Sequence, residues 1–255
     1  MECMTKWMTE GRRGVLVSPT GSGKTFMAEL AMVGLREKRQ IFFAHTQEII
    51  LQTAARLRKR FPSVGIVMAD EPLTLDAPIQ VATVQTCLAR SFFPEADVIY
   101  LDECHHYASD DWQQLQEHYQ NALVLGLTAT PQRGDGRALD AHFDWLVVAA
   151  KYSELVEAGY IVPCRSCQPP EIMVKGLAHD PVKAWERFAR GQQTFLFANS
   201  KKNADKFCKA FRDAGVPAAV IEANTPKGER KHIMSLFAKG DITLCRLYTS
   251  DAADD

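Results

Sequence analysis

At 255 residues, with 46% hydrophobic and 24% charged side chains, the chain has ordinary globular composition and enough length for one large or two medium domains. A net charge of −1 excludes a globally basic protein, so any nucleic-acid contact comes from local patches. No apolar run is long enough to span a bilayer, no signal-peptide pattern opens the chain, and seven scattered cysteines fit a reducing cytoplasm better than a disulfide framework.

Met1–Arg13 reads as the end of a helix, with Trp7 and Met8 on its apolar side and Gly11 as its stop. Gly14-Val15-Leu16-Val17 is a short apolar run and so a buried strand, and Phe26–Arg39 reads as a helix. Between them lies Ser18-Pro19-Thr20-Gly21-Ser22-Gly23-Lys24-Thr25. A glycine-bearing turn from strand to helix makes a phosphate cradle, because successive backbone N–H groups and the helix N-terminus face the anion. Gly21 and Gly23 let the backbone approach without a Cβ in the way. Thr20, Gly21, Ser22, Gly23, Lys24 and Thr25 are the expected phosphate set, with Lys24 reaching the β/γ-phosphates and the Thr25 hydroxyl ligating Mg²⁺. The strict pattern has glycine where Ser18 stands. A Gly/Ser-rich surface turn is the competing reading, and the flanking strand and helix argue against it.

Ile41–Ala44 is a second buried strand, ended by His45-Thr46-Gln47, and Glu48–Phe61 is helical. Arg56, Arg58, Lys59 and Arg60 close that helix, where complementing its dipole is preferred to a nucleic-acid patch. Val64–Met68 and Ile79–Ala82 are short strands, the second followed by Thr83-Val84-Gln85-Thr86. Ala96–Leu101 is a strand ending in Asp102-Glu103-Cys104-His105-His106; Asp111–Tyr119 is a helix; Ala122–Leu127 is a strand ending in Thr128-Ala129-Thr130-Pro131. Alternating strands and helices predict a parallel, doubly wound α/β sheet, whose ligand site forms at the carboxyl ends of the strands. The phosphate loop, Asp102 and Thr128 all fall at such ends.

Triphosphate hydrolysis needs one carboxylate to hold Mg²⁺ and one to polarise the attacking water. Asp102 is assigned the first task and Glu103 the second. Without the phosphate loop, the pair would read as acids at an exposed strand end. His105 is positioned to bridge the acids to Thr128 and Thr130, while His106 reads as a packing or surface histidine.

Leu139–Val148 has a mixed pattern, Ser153–Gly159 is a short helix, and Tyr160–Glu171 is a connector. Its Cys164-Arg-Ser-Cys167 lacks a second Cys/His pair at zinc spacing, so two ordinary thiols are expected. A second αβ series follows: helix Pro181–Arg190, strand Thr194–Ala198, helix Asn203–Ala214, strand Pro217–Ile221, helix Lys227–Lys239, and a further strand beginning at Ile242–Leu244.

Together these residues resemble the superfamily-2 DEAD/DEAH-box helicases, in the branch that contains XPB and its bacterial and phage relatives. Ser18–Thr25 resembles motif I; Phe43–Thr46 with Glu48 and Gln52, motif Ia; Asp102-Glu-Cys-His105, motif II; Leu127–Pro131 with Arg133, Asp135 and Gly136, motif III; Phe195–Asn199, motif IV. Cys104 departs from D-E-A-H, a change of one small apolar residue for another. The resemblance implies two RecA-like P-loop domains with parallel sheets flanked by helices: 1–150, a connector at 151–177, and an incomplete second domain at 178–244. It implies ATP and Mg²⁺ as cofactors, Lys24, Asp102 and Glu103 as the catalytic set, and coupling through His105, Thr128 and Thr130. Nucleic acid, DNA in preference to RNA, would be held on its backbone by His45, Thr46, Thr83 and Thr86.

Neither motif V nor the arginine-bearing motif VI is found, and the polar, acidic run 245–255 is expected to be a non-native tail. ATP-dependent helicase or translocase activity is the leading expectation. The alternative is an ATP- and nucleic-acid-binding fragment with little turnover, since a missing arginine finger removes on the order of 10³–10⁵ in rate.

Overall fold

The computed structural model describes residues 7, 12–69, 76–107, 109–131, 139, 142–167, 173–174, 177–178, 180–198, 200–222 and 224–247. The chain forms two compact units, Met1–Pro163 and Cys164–Asp255.

The first unit is built on seven parallel strands: β1 (Arg13–Val17), β2 (Gln40–Phe43), β3 (Val64–Val67), β4 (Ile79–Ala82), β5 (Val98–Asp102), β6 (Leu123–Thr128) and β7 (Trp145–Val148). Their order is β3-β4-β2-β5-β6-β1-β7. Helices α1 (Lys24–Gly34), α2 (Gln47–Leu57), α3 (Val84–Ala89), α4 (Ser109–His118) and α5 (Tyr152–Glu157) complete it. Side chains alternate across the sheet. Leu16, Phe42 and Tyr100 pack with α1 and α2 in one core, while Val15, Val17, Ile41, Phe43, Ile99 and Leu101 pack with α3 and α4 in the other. Burial on both faces is why these strands read as continuous apolar runs.

Only Trp7, Arg12 and Arg13 of the expected N-terminal helical segment fall among the described residues. Trp7 is helical and fully buried, and its indole donates to the Val124 carbonyl at 3.0 Å. Helix α1 stops at Gly34, short of the expected Arg39. Gln40 supplies the reason: its amide donates to the Met32 and Leu35 carbonyls at 3.0 and 2.9 Å, and Tyr100 donates to its carbonyl oxygen at 3.0 Å. A side chain from the next strand thus caps the helix end. Strand β7 emerges from the mixed segment because it pairs with β1 alone, at the sheet edge, where Trp145 lies flat against Gly14. A methyl group on Gly14 would fall inside the indole ring. Two of the arginines at the end of α2, where they also complement its dipole, reach α1. Arg56 and Arg60 both pair with the buried carboxylate of Glu29 on α1, and both guanidinium groups lie over Phe26, at 5.5 and 5.9 Å.

The second unit carries helices α6 (Pro181–Phe188), α7 (Lys201–Asp213) and α8 (Lys227–Lys239). Its main sheet is parallel, ordered β10-β12-β11, from β10 (Thr194–Phe197), β11 (Ala218–Ile221) and β12 (Leu244–Leu247). A short antiparallel pair, β8 (Met173–Val174) and β9 (Leu177–Ala178), lies within the expected connector. Asp180 and Ser200 cap α6 and α7 by accepting from the Lys183 and Asn203 amides. The first compact unit runs to Pro163, beyond the expected 150, and there the Tyr152 hydroxyl donates to the Val162 carbonyl at 3.1 Å. Cys245, the first residue of the expected tail, is fully buried in β12, the strand flanked on both sides by β10 and β11. Residues 248–255 lie outside the described residues. Among the described residues, no helix is long and apolar enough to cross a membrane.

Candidate active site

Strands β5, β6 and β1 are neighbours, so the residues that leave their carboxyl ends are brought together. The loop after β1 is tied to the end of β6 by the Ser18 amide, which donates to the Thr128 carbonyl at 3.0 Å. Gly21 and Gly23 adopt φ of +83° and +89°, a left-handed backbone that needs glycine. Ser18 has no such φ and so needs no glycine. It is buried, and its hydroxyl bonds that of Ser22 at 2.7 Å, closing the loop on itself. From the connector, Ile161 approaches Gly21 to ordinary van der Waals distance of where a Cβ would stand.

Lys24 opens α1 and is buried. Its ammonium lies 3.4 Å from the Ser18 carbonyl and 3.4 Å from Glu103 Oε1. Glu103 follows β5 with φ +47° and ψ +55°, a left-handed conformation unfavourable for a side-chain-bearing residue. That turn ends the strand, begins the 3₁₀ helix Cys104–His106, and returns the Glu103 carboxylate toward Lys24. Cys104 is buried, with its sulfur 2.9 Å from where a Gly126 Cβ would stand; burial pushes its thiol up to about 12. The close packing explains why a small residue occupies this motif position.

Asp102, the last residue of β5, is buried. Burial first, then the Glu103 charge, push its carboxyl up to about 6, against the opposing pull of Lys24. A buried carboxylate held there with one partial counter-charge favours a further cation, the ordinary situation of a metal-binding acid. Thr25 stands half-buried in the first turn of α1, and Thr20, Gly21 and Gly23 are exposed, as a cradle open to an anion requires.

His105 Nδ1 lies 2.8 Å from Thr128 Oγ1 and 3.5 Å from Glu103 Oε2. The Thr128 hydroxyl donates to the Thr130 carbonyl at 2.8 Å and accepts from the Thr130 amide at 3.0 Å. Its one proton is therefore committed, and Nδ1 of His105 carries the proton that points at Thr128. Burial and the neighbouring His106 hold His105 below the ordinary histidine range, so it is neutral at pH 7. Five of the expected residues (Lys24, Glu103, His105, Thr128 and Thr130) thus form one contact network, with Asp102 inside its field. Arg133, Asp135 and Gly136 lie outside the described residues.

The expected nucleic-acid set is placed differently. His45 is exposed at the end of β2, and Thr46 caps α2, accepting from the Ile49 amide at 3.3 Å. Thr83 and Thr86 are buried, with their hydroxyls 2.6 Å apart and the Thr86 amide donating to Thr83 Oγ1. Both hydroxyls serve the cap of α3 rather than a surface. His106, read as a packing or surface residue, is exposed and packs between His105 and His45, with ring centroids 4.0 and 5.1 Å away. The doubled histidine was visible in the sequence; its partner was not, because only the β2–β5 pairing brings His45 there.

Comparison with known proteins agrees with this geometry. Residues 1–133 match the family described as type III restriction enzyme, res subunit, and residues 180–254 match the helicase conserved C-terminal domain. The chain belongs to the res-subunit family of superfamily-2 helicases. This helicase-family chain is 27% identical to a 51.5 kDa protein of Lactococcus phage, over 91% of its own length and 54% of that protein's. It is 24% identical to the putative mitochondrial ATP-dependent helicase irc3 of Schizosaccharomyces pombe, over 93% and 46%. Over 53% of its length it is 28% identical to the DNA 3'-5' translocase XPB2 of Sulfurisphaera tokodaii, covering 31% of that protein, in accord with the XPB-like branch. The chain spans about half the length, or less, of these relatives. The helicase domain of Pyrococcus furiosus Hef shares its fold, with a TM-score of 0.59 at 15% identity over 97% of this chain and 84% of that one. Saccharomyces cerevisiae Dbp5 bound to RNA and ADP BeF3 does so with a TM-score of 0.59 at 15% identity, over 97% and 68%. The fold is thus the RecA-like α/β fold of helicases.

Proposed function

We propose that the protein hydrolyses ATP and couples hydrolysis to movement along nucleic acid, DNA in preference to RNA. One observation carries the reading: the ammonium of Lys24, at the head of a strand-loop-helix phosphate cradle after β1, meets the carboxylate of Glu103, which follows β5, at 3.4 Å across the end of the intervening β6. The residues fit ATP and Mg²⁺. Two glycines in left-handed backbone open the cradle, and a buried carboxyl stands where a divalent ion would be held.

In this reading Thr20 to Thr25 hold the phosphates through backbone N–H groups, and Lys24 releases Glu103 to reach the terminal phosphates. Thr25 and Asp102 would hold Mg²⁺, which would supply neutralisation of the phosphate charge. Glu103, freed from Lys24, orients water as general base, and His105, Thr128 and Thr130 report the state of that carboxylate to the rest of the protein. On the outer end of the sheet, His45 and the amide-rich start of α2 at Thr46 hold the polynucleotide backbone; Thr83 and Thr86 contribute through the shape of their cap rather than through free hydroxyls. The relative XPB2, named as a DNA 3'-5' translocase, supports the DNA preference.

The test is steady-state ATP hydrolysis with and without single-stranded DNA, duplex DNA and RNA. Polynucleotide raises the wild-type rate. Lys24→Ala lowers turnover by about 10²–10³ and Glu103→Gln by about 10²–10⁴. Either variant retaining wild-type turnover overturns the assignment.

A further inference from the structure

Outside the contacts already assigned, one cluster joins two parts of the molecule that the proposed function treats separately. His45 leaves β2, and the 3₁₀ helix Cys104–His106 leaves β5, the strand paired with β2. The His106 ring lies 5.1 Å from that of His45, tilted by 47°, and 4.0 Å from that of His105, tilted by 41°. His105 in turn reaches Thr128 and Glu103. Three imidazoles therefore form an unbroken line from the end of β2 to the hydrolytic carboxylate, within the first unit. Sequence neighbours such as His105 and His106 have no need to face each other. Here the tight turn that follows the left-handed Glu103 places both rings on the same side.

We propose that His106 is a positioning residue whose ring, packed between His45 and His105, transmits polynucleotide occupancy at the end of β2 to Glu103. The inference rests on the proposed function, since it needs His45 near the polynucleotide and Glu103 at the triphosphate. Any displacement of His45 changes the surface against which His106 packs. His106 then moves His105, whose Nδ1 lies 2.8 Å from Thr128 Oγ1 and 3.5 Å from Glu103 Oε2. Partial desolvation where the rings pack together and the neighbouring histidines, against the opposing charge of Glu103, leave His105 and His106 below the ordinary histidine range, so contact between rings carries the link. His106 itself is exposed, so its replacement removes the packing without opening the core.

The measurement is thermodynamic coupling: the dissociation constant of fluorescent single-stranded DNA with and without a non-hydrolysable ATP analogue and Mg²⁺. Coupled sites of this kind change each other's affinity by about 5–150-fold. In the wild type the two constants differ by at least about 5-fold. In His106→Ala the ratio falls to within about 2-fold of unity, while each ligand alone binds as in the wild type. In His106→Phe, which keeps a planar ring and has no charge, the ratio returns. A His106→Ala protein with the wild-type ratio overturns the proposal, as does a His106→Phe protein that behaves like His106→Ala. A wild-type ratio of one also overturns it. Failure of the wild type to bind either ligand overturns the parent function instead, so the two failures are distinguishable.

Discussion

Among single residues, Asp102 shows what the site trades for its chemistry. Burial and the adjacent Glu103 raise its carboxyl from 3.8 to about 6. In the metal-free protein the folded state therefore binds more protons than the unfolded state between about pH 4 and pH 6. The contribution of this group is fully present below its unfolded value and is lost as pH rises through the folded one. Up to about 3 kcal/mol is involved for a shift of this size. Asp102→Asn is accordingly expected to raise the urea midpoint of the metal-free protein at pH 7.5 and to leave it nearly unchanged at pH 4. Equal effects at both pH values would remove burial of the charge as the cause. The left-handed backbone of Glu103 belongs with this result: one acid is buried against its charge, and the next is held in a backbone conformation that a side-chain-bearing residue disfavours.

At the level of elements, the α1–α2 contact turns on a charge that the sequence pattern hides. Glu29 reads as a polar position of an amphipathic helix, yet its side chain is 3% exposed and holds both Arg56 and Arg60. The arginines are 43% and 46% exposed, so removing Glu29 lets them return to water. Removing the arginines leaves a carboxylate buried without its partners. Glu29→Ala is therefore expected to lower stability by about 1–3 kcal/mol, and Arg56→Ala with Arg60→Ala by more, on the order of 3–5 kcal/mol. Chemical denaturation of the three proteins checks the order; the reverse order would mean that a carboxylate left buried without its partners is not the larger cost.

For the whole molecule, the described cores do not cross residue 163. Two clusters belong to the first unit, and the clusters around Phe211 and around Phe237 belong to the second. Separate cores predict unfolding that is not a single two-state transition. Trp7, Trp112 and Trp145 lie in the first unit and Trp185 in the second, so Trp185→Phe leaves a fluorescence signal from the first alone. ATP and Mg²⁺ at about 100 times the dissociation constant are expected to raise the stability of that transition by about 2.7 kcal/mol. One coincident transition by fluorescence and by circular dichroism would show that the units unfold together.

Much of this architecture was legible because its signals are local. A strand buried on both faces is apolar throughout, a left-handed turn favours glycine, and the two acids that leave the end of β5 are consecutive in the chain. The runs at Val15, Phe42 and Ile99, the pair Gly21 and Gly23, and Asp102-Glu103 therefore announced themselves, and with them the α/β class and the helicase family. What the linear order cannot contain is which strand lies beside which. Strand order put β6 between β5 and β1, closed Lys24 on Glu103, set Cys245 in a central strand, bound Arg56 and Arg60 to Glu29, and brought His45 to His106. Such contacts join residues far apart in the chain through hydrogen-bonded neighbours and complementary charge. They arise only once the sheet is assembled, so tertiary structure alone decided them.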